Sequence, residues 1–242
     1  MGTIFFAPLT GLVSAYNRIS ITANNIANLN TIGFHAYQAT SMDLSPLGTA
    51  LQSVQRSGQA GFFFQTGSPT DLAISGDAYF EVQTPDGKTA YTRAGSFSAD
   101  NQGYLTTSSG ARLQPSLKMP AGAQGVFVGQ DGRVTAIVDG ETQEVGRVQL
   151  ARFNNPNGLQ SIGENLFAET SASGEPSRGY PGDGAFAPLF SGYLESSNVD
   201  LPTEFVNLMT EKTAVAANVK AINAAQEMID DTLQIGKNLP AG

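Results

Sequence analysis

The chain has 242 residues, with 13 Lys+Arg against 21 Asp+Glu and a formal net charge of −8; this leaves room for one large domain or two modest ones and excludes a general phosphate-backbone binder, which needs a basic face to displace counterions. It contains no Cys and one His, so disulfides, thiolate metal sites, Cys nucleophiles and His-His metal motifs are excluded, and a Ser-His triad would have to use His35. Charged residues are only 14%, against about 25% in typical soluble domains, which predicts a polar but weakly charged surface.

The N-terminal stretch MGTIFFAPLTGLV is apolar, but its first cation after the amino group is Arg18. That is the wrong side of the apolar stretch for a secretory signal, and no run approaches the ~20 apolar residues of a membrane helix. The expectation is no membrane insertion, and any export by a route without a cleaved signal peptide. Phe5, Leu9, Leu12, Tyr16, Ile19, Ala23 and Ile26 step by alternating 4 and 3, the stripe of an amphipathic helix. The pattern ends in Asn28, Asn30 and Gly33, which terminate helices. Asn24, Asn25, Asn28 and Asn30 put four Asn in seven positions, and Asn is a poor helix-interior residue. Two readings stay open: buried amides that fix the register of packed helices, or a helix fraying into a polar loop.

Residues 38–70 are rich in Ser, Gly, Gln, Pro and Thr, interrupted by Phe62-Phe63-Phe64; they read as a connector that docks partly on something, or as an edge strand. From Asp71 to about residue 190 the pattern is all-β. Asp71–Ile74, Tyr79–Gln83, Thr89–Arg93, Ser96–Ser98, Tyr104–Thr107 and Arg112–Gln114 form one set of short strands. Gly125–Val128, Arg133–Val138, Thr142–Glu144 and Val148–Phe153 form another. Asp86-Gly87, Asp131-Gly132 and Asp139-Gly140 supply hairpin turns. Residues 171–188 are a second Gly/Ser/Pro connector. Beyond it, Leu201, Phe205, Leu208, Val215, Val219, Ile222, Ile229 and Leu233 share one 4-and-3 series whose missing slots are Lys212 and Gln226. This predicts a helix packed along a seam, roughly 50 Å long, with Asn198 or Asp200 as N-cap and Gly236 as a stop.

The fold expected is α+β: a discontinuous coiled-coil-like helical domain from both termini (1–37 with 192–242), a connector (38–70), and a central all-β domain of irregular meander or sandwich type (71–191). No αβ alternation supports a Rossmann or barrel enzyme. His35 has no GxSxG elbow to work with and reads as a surface or helix-end His. Asp86, Asp131 and Asp139 precede Gly and read as turn formers, not as halves of a glycosidase pair. The GYPGDG segment at 179–184 lacks the Lys-Ser/Thr and the strand-helix frame of a phosphate cradle, and Asp230-Asp231 reads as a solvated face. No enzyme, metal or cofactor is expected. A secreted β-domain adhesin remains an alternative class, although it would have no use for partner-seeking helices at both ends.

The segment Ala23-Asn24-Asn25-Ile26-Ala27-Asn28-Leu29-Asn30-Thr31-Ile32-Gly33-Phe34 resembles the N-terminal signature ANNIANxNTxGF of bacterial flagellar basal-body rod and hook proteins. Three further blocks follow in that family's order: Thr66–Asp77 running into Tyr79-Phe80, Tyr91–Phe97, and Gly192–Asp200 leading the final helix. The segments Phe153–Leu159 and Ile162–Phe167 are most similar to the distal rod type, with the proximal rod type next and the larger hook protein third. The resemblance implies a structural axial subunit that self-assembles into a helical tube around an export channel, transmits torque and sits in the basal body. Its implied partners are further copies of itself, other rod and hook proteins and, as a further candidate, the surrounding ring bushing, with no nucleic acid. Combined with the two stripes, it points to an assembly interface of Phe5, Leu9, Leu12, Tyr16, Ile19, Asn24, Asn25, Ile26, Asn28, Asn30, Gly33 and Phe34 at one end. At the other end the candidates are Leu201, Phe205, Leu208, Val215, Val219, Ile222, Ile229 and Leu233. A charge at Leu208 or Ile222 is expected to block assembly by burying an unpaired ion.

Overall fold

The computed structural model describes residues 5–238. The chain forms two compact units, one from residues 5–29, 36–57 and 199–238, the other from 30–35 and 58–198.

The first unit begins with helix α1 (Phe6–Ala27), whose last turn is closed by the Asn28 side chain donating to the Asn24 carbonyl at 2.9 Å. Next come strands β1 (Tyr37–Asp43) and β2 (Thr49–Arg56), an antiparallel hairpin with a bulge between Thr40 and Ser41. Composition alone presents this stretch as connector, because its polar side chains show only weak alternation. It docks on α1: Thr10 Oγ1 donates to the Leu47 carbonyl at 2.9 Å, and Arg18 Nη1 donates to Ser41 Oγ at 3.2 Å. A Cβ on Gly48 would lie 2.1 Å from Thr10 Oγ1, so the turn needs glycine to approach the helix.

The second unit carries the remaining strands: β3 (Phe63–Gln65), β4 (Leu72–Ile74), β5 (Tyr79–Gln83), β6 (Thr89–Thr92), β7 (Ser98–Ala99), β8 (Leu105–Thr106), β9 (Arg112–Leu113), β10 (Gly125–Val128), β11 (Arg133–Val138), β12 (Glu141–Arg147), β13 (Leu150–Arg152), β14 (Gln160–Gly163), β15 (Leu166–Ala168), β16 (Ser177–Gly179), β17 (Leu189–Ser191) and β18 (Tyr193–Glu195). The largest sheet is antiparallel in the order β14-β15-β6-β5-β9-β8-β7, with β13 also pairing β5 and β16 pairing β13. Strands β10-β11-β12 form a second sheet, and β17-β4 and β18-β3 are two-stranded ladders. The Phe62–Phe64 run thus contributes an edge strand to β18. Strands β11 and β12 are joined through Asp139 and Gly140, both at positive φ, the primed turn that matches strand twist.

Successive residues point to opposite faces of a strand, and the core follows that rule. Phe80, Val82, Ala90, Leu150 and Leu166 enter one apolar cluster with Leu72, Ile74, Phe97, Leu113 and Val134. Their neighbours Tyr79, Tyr91, Ala151 and Phe167 enter a second with Phe153 and Leu159. Aromatic edges organise both clusters: Phe80 meets Phe97 at 5.1 Å and Tyr91 meets Phe153 at 4.8 Å. The main sheet is therefore buried on both sides, which explains why its strands read as short solid apolar runs.

The final element returns to the first unit. Helix α2 (Leu201–Asn238) spans 38 residues against 22 in α1. Asp200 is its N-cap, with Oδ2 accepting from the Thr203 N–H at 3.3 Å. The helix continues through Gly236 instead of stopping there, because one glycine weakens a helix by only about 1 kcal/mol. The strands expected between Asp71 and Phe153, and both terminal helices, are all present. Phe80 is fully buried, and Phe80→Ala is expected to destabilise the β unit by about 3–5 kcal/mol, read from the urea midpoint by circular dichroism.

Candidate functional site

Helices α1 and α2 pack against each other, and their fully buried residues are small or polar. Ser14, Ala15, Thr22 and Asn25 are the buried residues of α1; on α2 they are Glu204, Glu211 and Ala225. Three pairs span the seam. Asn25 Nδ2 donates to Glu204 Oε1 at 2.8 Å, Arg18 Nε lies 2.9 Å from Glu211 Oε1, and a Cβ on Gly11 would come within 2.8 Å of Asn218 Oδ1. Positions 11, 18 and 25 rise by sevens while 218, 211 and 204 fall by sevens, so the pairs are successive rungs of one antiparallel register. That register sets Ser14 level with Val215 and Ile21 level with Leu208, giving an intervening layer between each two polar rungs.

Asn25 carries the most geometry. Its Oδ1 accepts from the Tyr37 N–H and its Nδ2 donates to the Tyr37 carbonyl, both at 2.8 Å. The carboxamide thus imitates a neighbouring strand residue and seats the start of β1, while its remaining polarity goes to Glu204. Only an amide of this length supplies donor and acceptor together. Of the two readings open for the Asn cluster, interhelical bonding holds for Asn25 and helix termination for Asn28, while Asn24 and Asn30 are exposed.

The apolar stripes lie elsewhere. Leu9 and Tyr16 are exposed, and with Phe6 and Val13 they make a row about half a turn round α1 from the rungs, at about 100° per residue. Phe5, Leu12, Ile19 and Ile26 are half-buried. On α2, Leu201, Leu208, Val215, Ile222 and Ile229 are half-buried, whereas Phe205, Val219 and Leu233 are exposed, as are Val206 and Met209. Leu208 and Ile222 are therefore partly covered within one chain, and a charge there tests that packing as well as any contact with a neighbouring copy. Phe205 and Val219 are the positions that probe the outer face.

Gly33 and Phe34 are buried in the β unit, in a second polar constellation. Glu195 is 1% exposed and Arg93 4%. Arg93 reaches Glu195 Oε2 with Nε at 3.1 Å and Nη2 at 2.6 Å, and its other donors go to the carbonyls of Ile74, Gly76 and Ala78. Glu195 Oε1 accepts from His35 Nε2 at 2.9 Å and from the Gly61 N–H at 3.2 Å. The Gly33 N–H donates to the Glu195 carbonyl at 2.8 Å, and Asn165 Nδ2 holds the Ile32 carbonyl at 2.9 Å. Gly33 has φ +65°, and a Cβ there would lie 2.6 Å from the Arg93 carbonyl carbon, so only glycine fits. Burial pushes the Glu195 carboxyl up, but the His35 hydrogen bond and the Arg93 charge outweigh it and hold the carboxyl below its ordinary range. His35, expected at a surface, is an orienting donor in this cluster.

Several acids of the β unit are engaged in local structure. Asp131 Oδ1 accepts from the Arg133 N–H in its turn, Asp100 Oδ1 accepts from the Gln102 and Tyr104 N–H groups, and Glu81 forks onto Arg178. Among the described residues, no three His, Asp or Glu gather as a metal cluster, and no helix is long and apolar enough to cross a membrane.

Both constellations tie together segments distant in the chain, and the same segments carry family profiles. Residues 9–35 match the profile described as Flagella basal body rod protein, 73–136 the Flagellar hook protein FlgE/F/G D1 domain, and 191–235 the Flagellar basal body rod FlgEFG protein C-terminal. The chain is 36% identical to the flagellar basal-body rod protein FlgG of Caulobacter vibrioides, over 93% of this chain and 96% of the relative. The chain belongs to the flagellar basal-body rod protein family. FlgG of Buchnera aphidicola subsp. Baizongia pistaciae is 38% identical, covering 91% and 94%, and that of Bacillus subtilis 33%, covering 95% and 97%. The hook protein FlgE of Caulobacter vibrioides is 32% identical over 72% of this chain but only 33% of its own length, so the end-to-end likeness is to rod proteins.

The seam and Glu195 residues other than Asn25 and Gly33 escape a periodicity search, because Arg18, Glu204, Glu211 and Arg93 look like surface charges in a sequence. The available signal was their seven-residue spacing, 11-18-25 and 204-211-218. Glu195→Ala leaves Arg93 buried without its counter-ion and is expected to destabilise the β unit by about 3–5 kcal/mol. Because the folded carboxyl titrates low, the advantage of wild type over Glu195→Gln is full above about pH 4.3. It disappears as the pH falls through the lower folded value, which urea titrations at a series of pH values would read. Asn25→Asp removes two donors and sets a carboxylate against Glu204; a loss on the order of 3 kcal/mol is expected in amide-exchange protection of α1 and β1.

Proposed function

We propose that this chain is a structural axial subunit of the flagellar rod, of the distal type, whose terminal helices pack against those of neighbouring copies to build a helical tube. The observation that carries the reading is the division of labour on α1 and α2. Polar and small side chains serve the seam within the chain, and the rows Phe6-Leu9-Val13-Tyr16 and Phe205-Met209 are left outward. A contiguous apolar row on a helix otherwise marks an interaction surface or an aggregation liability. In an axial subunit it is the contact with the next copy. By the rung register Phe6 is level with Asn223, so α2 continues beyond the start of α1 and offers Met228, Leu233 and Ile235, all exposed, to a further neighbour. The end-to-end likeness to FlgG proteins supports the distal type over the proximal and hook types.

On this reading the role is mechanical, not catalytic. The tube surrounds the export channel and transmits torque, its partners are other copies and adjoining rod and hook proteins, and its place is the basal body. Export without a cleaved signal peptide belongs to the same proposal. Tyr16→Glu and Phe205→Glu change exposed side chains and leave the seam intact, so each is expected to keep helicity and the β-unit unfolding midpoint. In cells whose only copy is the variant, rods in isolated basal bodies should be at least tenfold rarer by electron microscopy. Wild-type numbers of complete rods with both variants would overturn the assignment of these rows to assembly.

A further inference from the structure

We propose that Gly11–Asn218, Arg18–Glu211 and Asn25–Glu204 form a register key, which selects one antiparallel pairing of α1 with α2 and keeps the exposed rows Phe6-Leu9-Val13-Tyr16 and Phe205-Met209 out of the intrachain seam. The inference rests on the assembly reading for its purpose, but its geometry stands alone. Two amphipathic helices maximise burial by facing apolar stripe to apolar stripe, and such a pairing tolerates slipping by one heptad, since the same faces still meet. Here the seam instead holds Glu204 and Glu211, each 8% exposed, and Asn25, 1% exposed. Polar groups at seam positions lower stability unless paired, and pairing is what distinguishes one register from another.

Each one-heptad slip breaks the key differently. One direction puts Arg18 beside Asn218 and carries Glu204 past the end of α1. The other sets the longer Glu211 side chain against the Gly11 notch that Asn218 fills in the native register, and takes Asn25 beyond Leu201, the first residue of α2. The native register is the one in which all three rungs close. Arg18, Glu211, Asn218 and Gly11 are thus positioning residues: they face the other helix of their own chain, and they determine which side chains are left for a neighbouring copy.

The chain lacks cysteine, so introduced thiol pairs report register without background. In the purified full-length chain, Ser14→Cys with Val215→Cys should join within one molecule through a short bifunctional thiol reagent. The slipped pairs, Ser14→Cys with Ile222→Cys or with Leu208→Cys, should give at least tenfold less. Adding Glu211→Arg should cut the in-register yield at least tenfold, and restoring the pair in reverse, Arg18→Glu with Glu211→Arg, should recover at least half of it. With Arg18, Asn25, Glu204 and Glu211 all changed to Leu, the helices remain able to pair, and the slipped pairs should now react comparably to the in-register one. A charge reversal no better than Glu211→Arg alone, or an all-Leu variant that keeps the native preference, overturns the key. If the register behaves as described while Tyr16→Glu and Phe205→Glu still build complete rods, the assembly reading fails and the key stands.

Discussion

Asn25 stands where three elements meet, and its carboxamide must satisfy the Tyr37 backbone and Glu204 together. Everything else in the helical unit is arranged around that demand. The amide fixes where β1 begins after the turn that follows α1, and its bond to Glu204 fixes which turn of α2 lies alongside. Once that rung is set, the seven-residue spacing carries the register to Arg18–Glu211 and Gly11–Asn218 without further specification. The register of the unit therefore rests on which polar groups are brought together across the seam. An incomplete buried pair costs several times what a complete one contributes.

The same logic governs the β unit. Glu195 closes a ring that brings the segment after α1, the strand β6 exit at Arg93 and the approach to α2 into contact. Three stretches that resemble the rod and hook family are separate words in the sequence and one object in space. Gly33 permits the approach, Arg93 ties the carbonyls of Ile74, Gly76 and Ala78, and Glu195 neutralises Arg93 where water cannot. The depressed titration of Glu195 measures how thoroughly His35 and Arg93 compensate its burial.

Much of this architecture was legible before any coordinates. Short strand-forming runs such as Tyr79–Gln83 and Arg133–Val138, and the Asp-Gly pairs between strands, specify hairpins through local backbone preferences that act on a few residues at a time. The 4-and-3 spacing at both ends specifies helices for the same reason. The hairpin of β1 and β2 was not legible, because its polar side chains carry weak alternation. The bond of His35 to Glu195 is not legible in the sequence, since a lone histidine says nothing about a carboxylate 160 positions away.

The sequence by itself determined the two terminal helices, the strands and hairpin turns between Asp71 and Phe153, the absence of thiol chemistry and the presence of two apolar stripes in need of cover. Only the tertiary structure decided which face of each helix meets the other. Burial favours the apolar faces, and periodicity finds those first. A register, however, is set by which polar groups face one another: Asn25 meets Glu204 and Arg18 meets Glu211. Such complementarity exists between side chains nearly two hundred residues apart, and it becomes visible only when they are brought within hydrogen-bond distance.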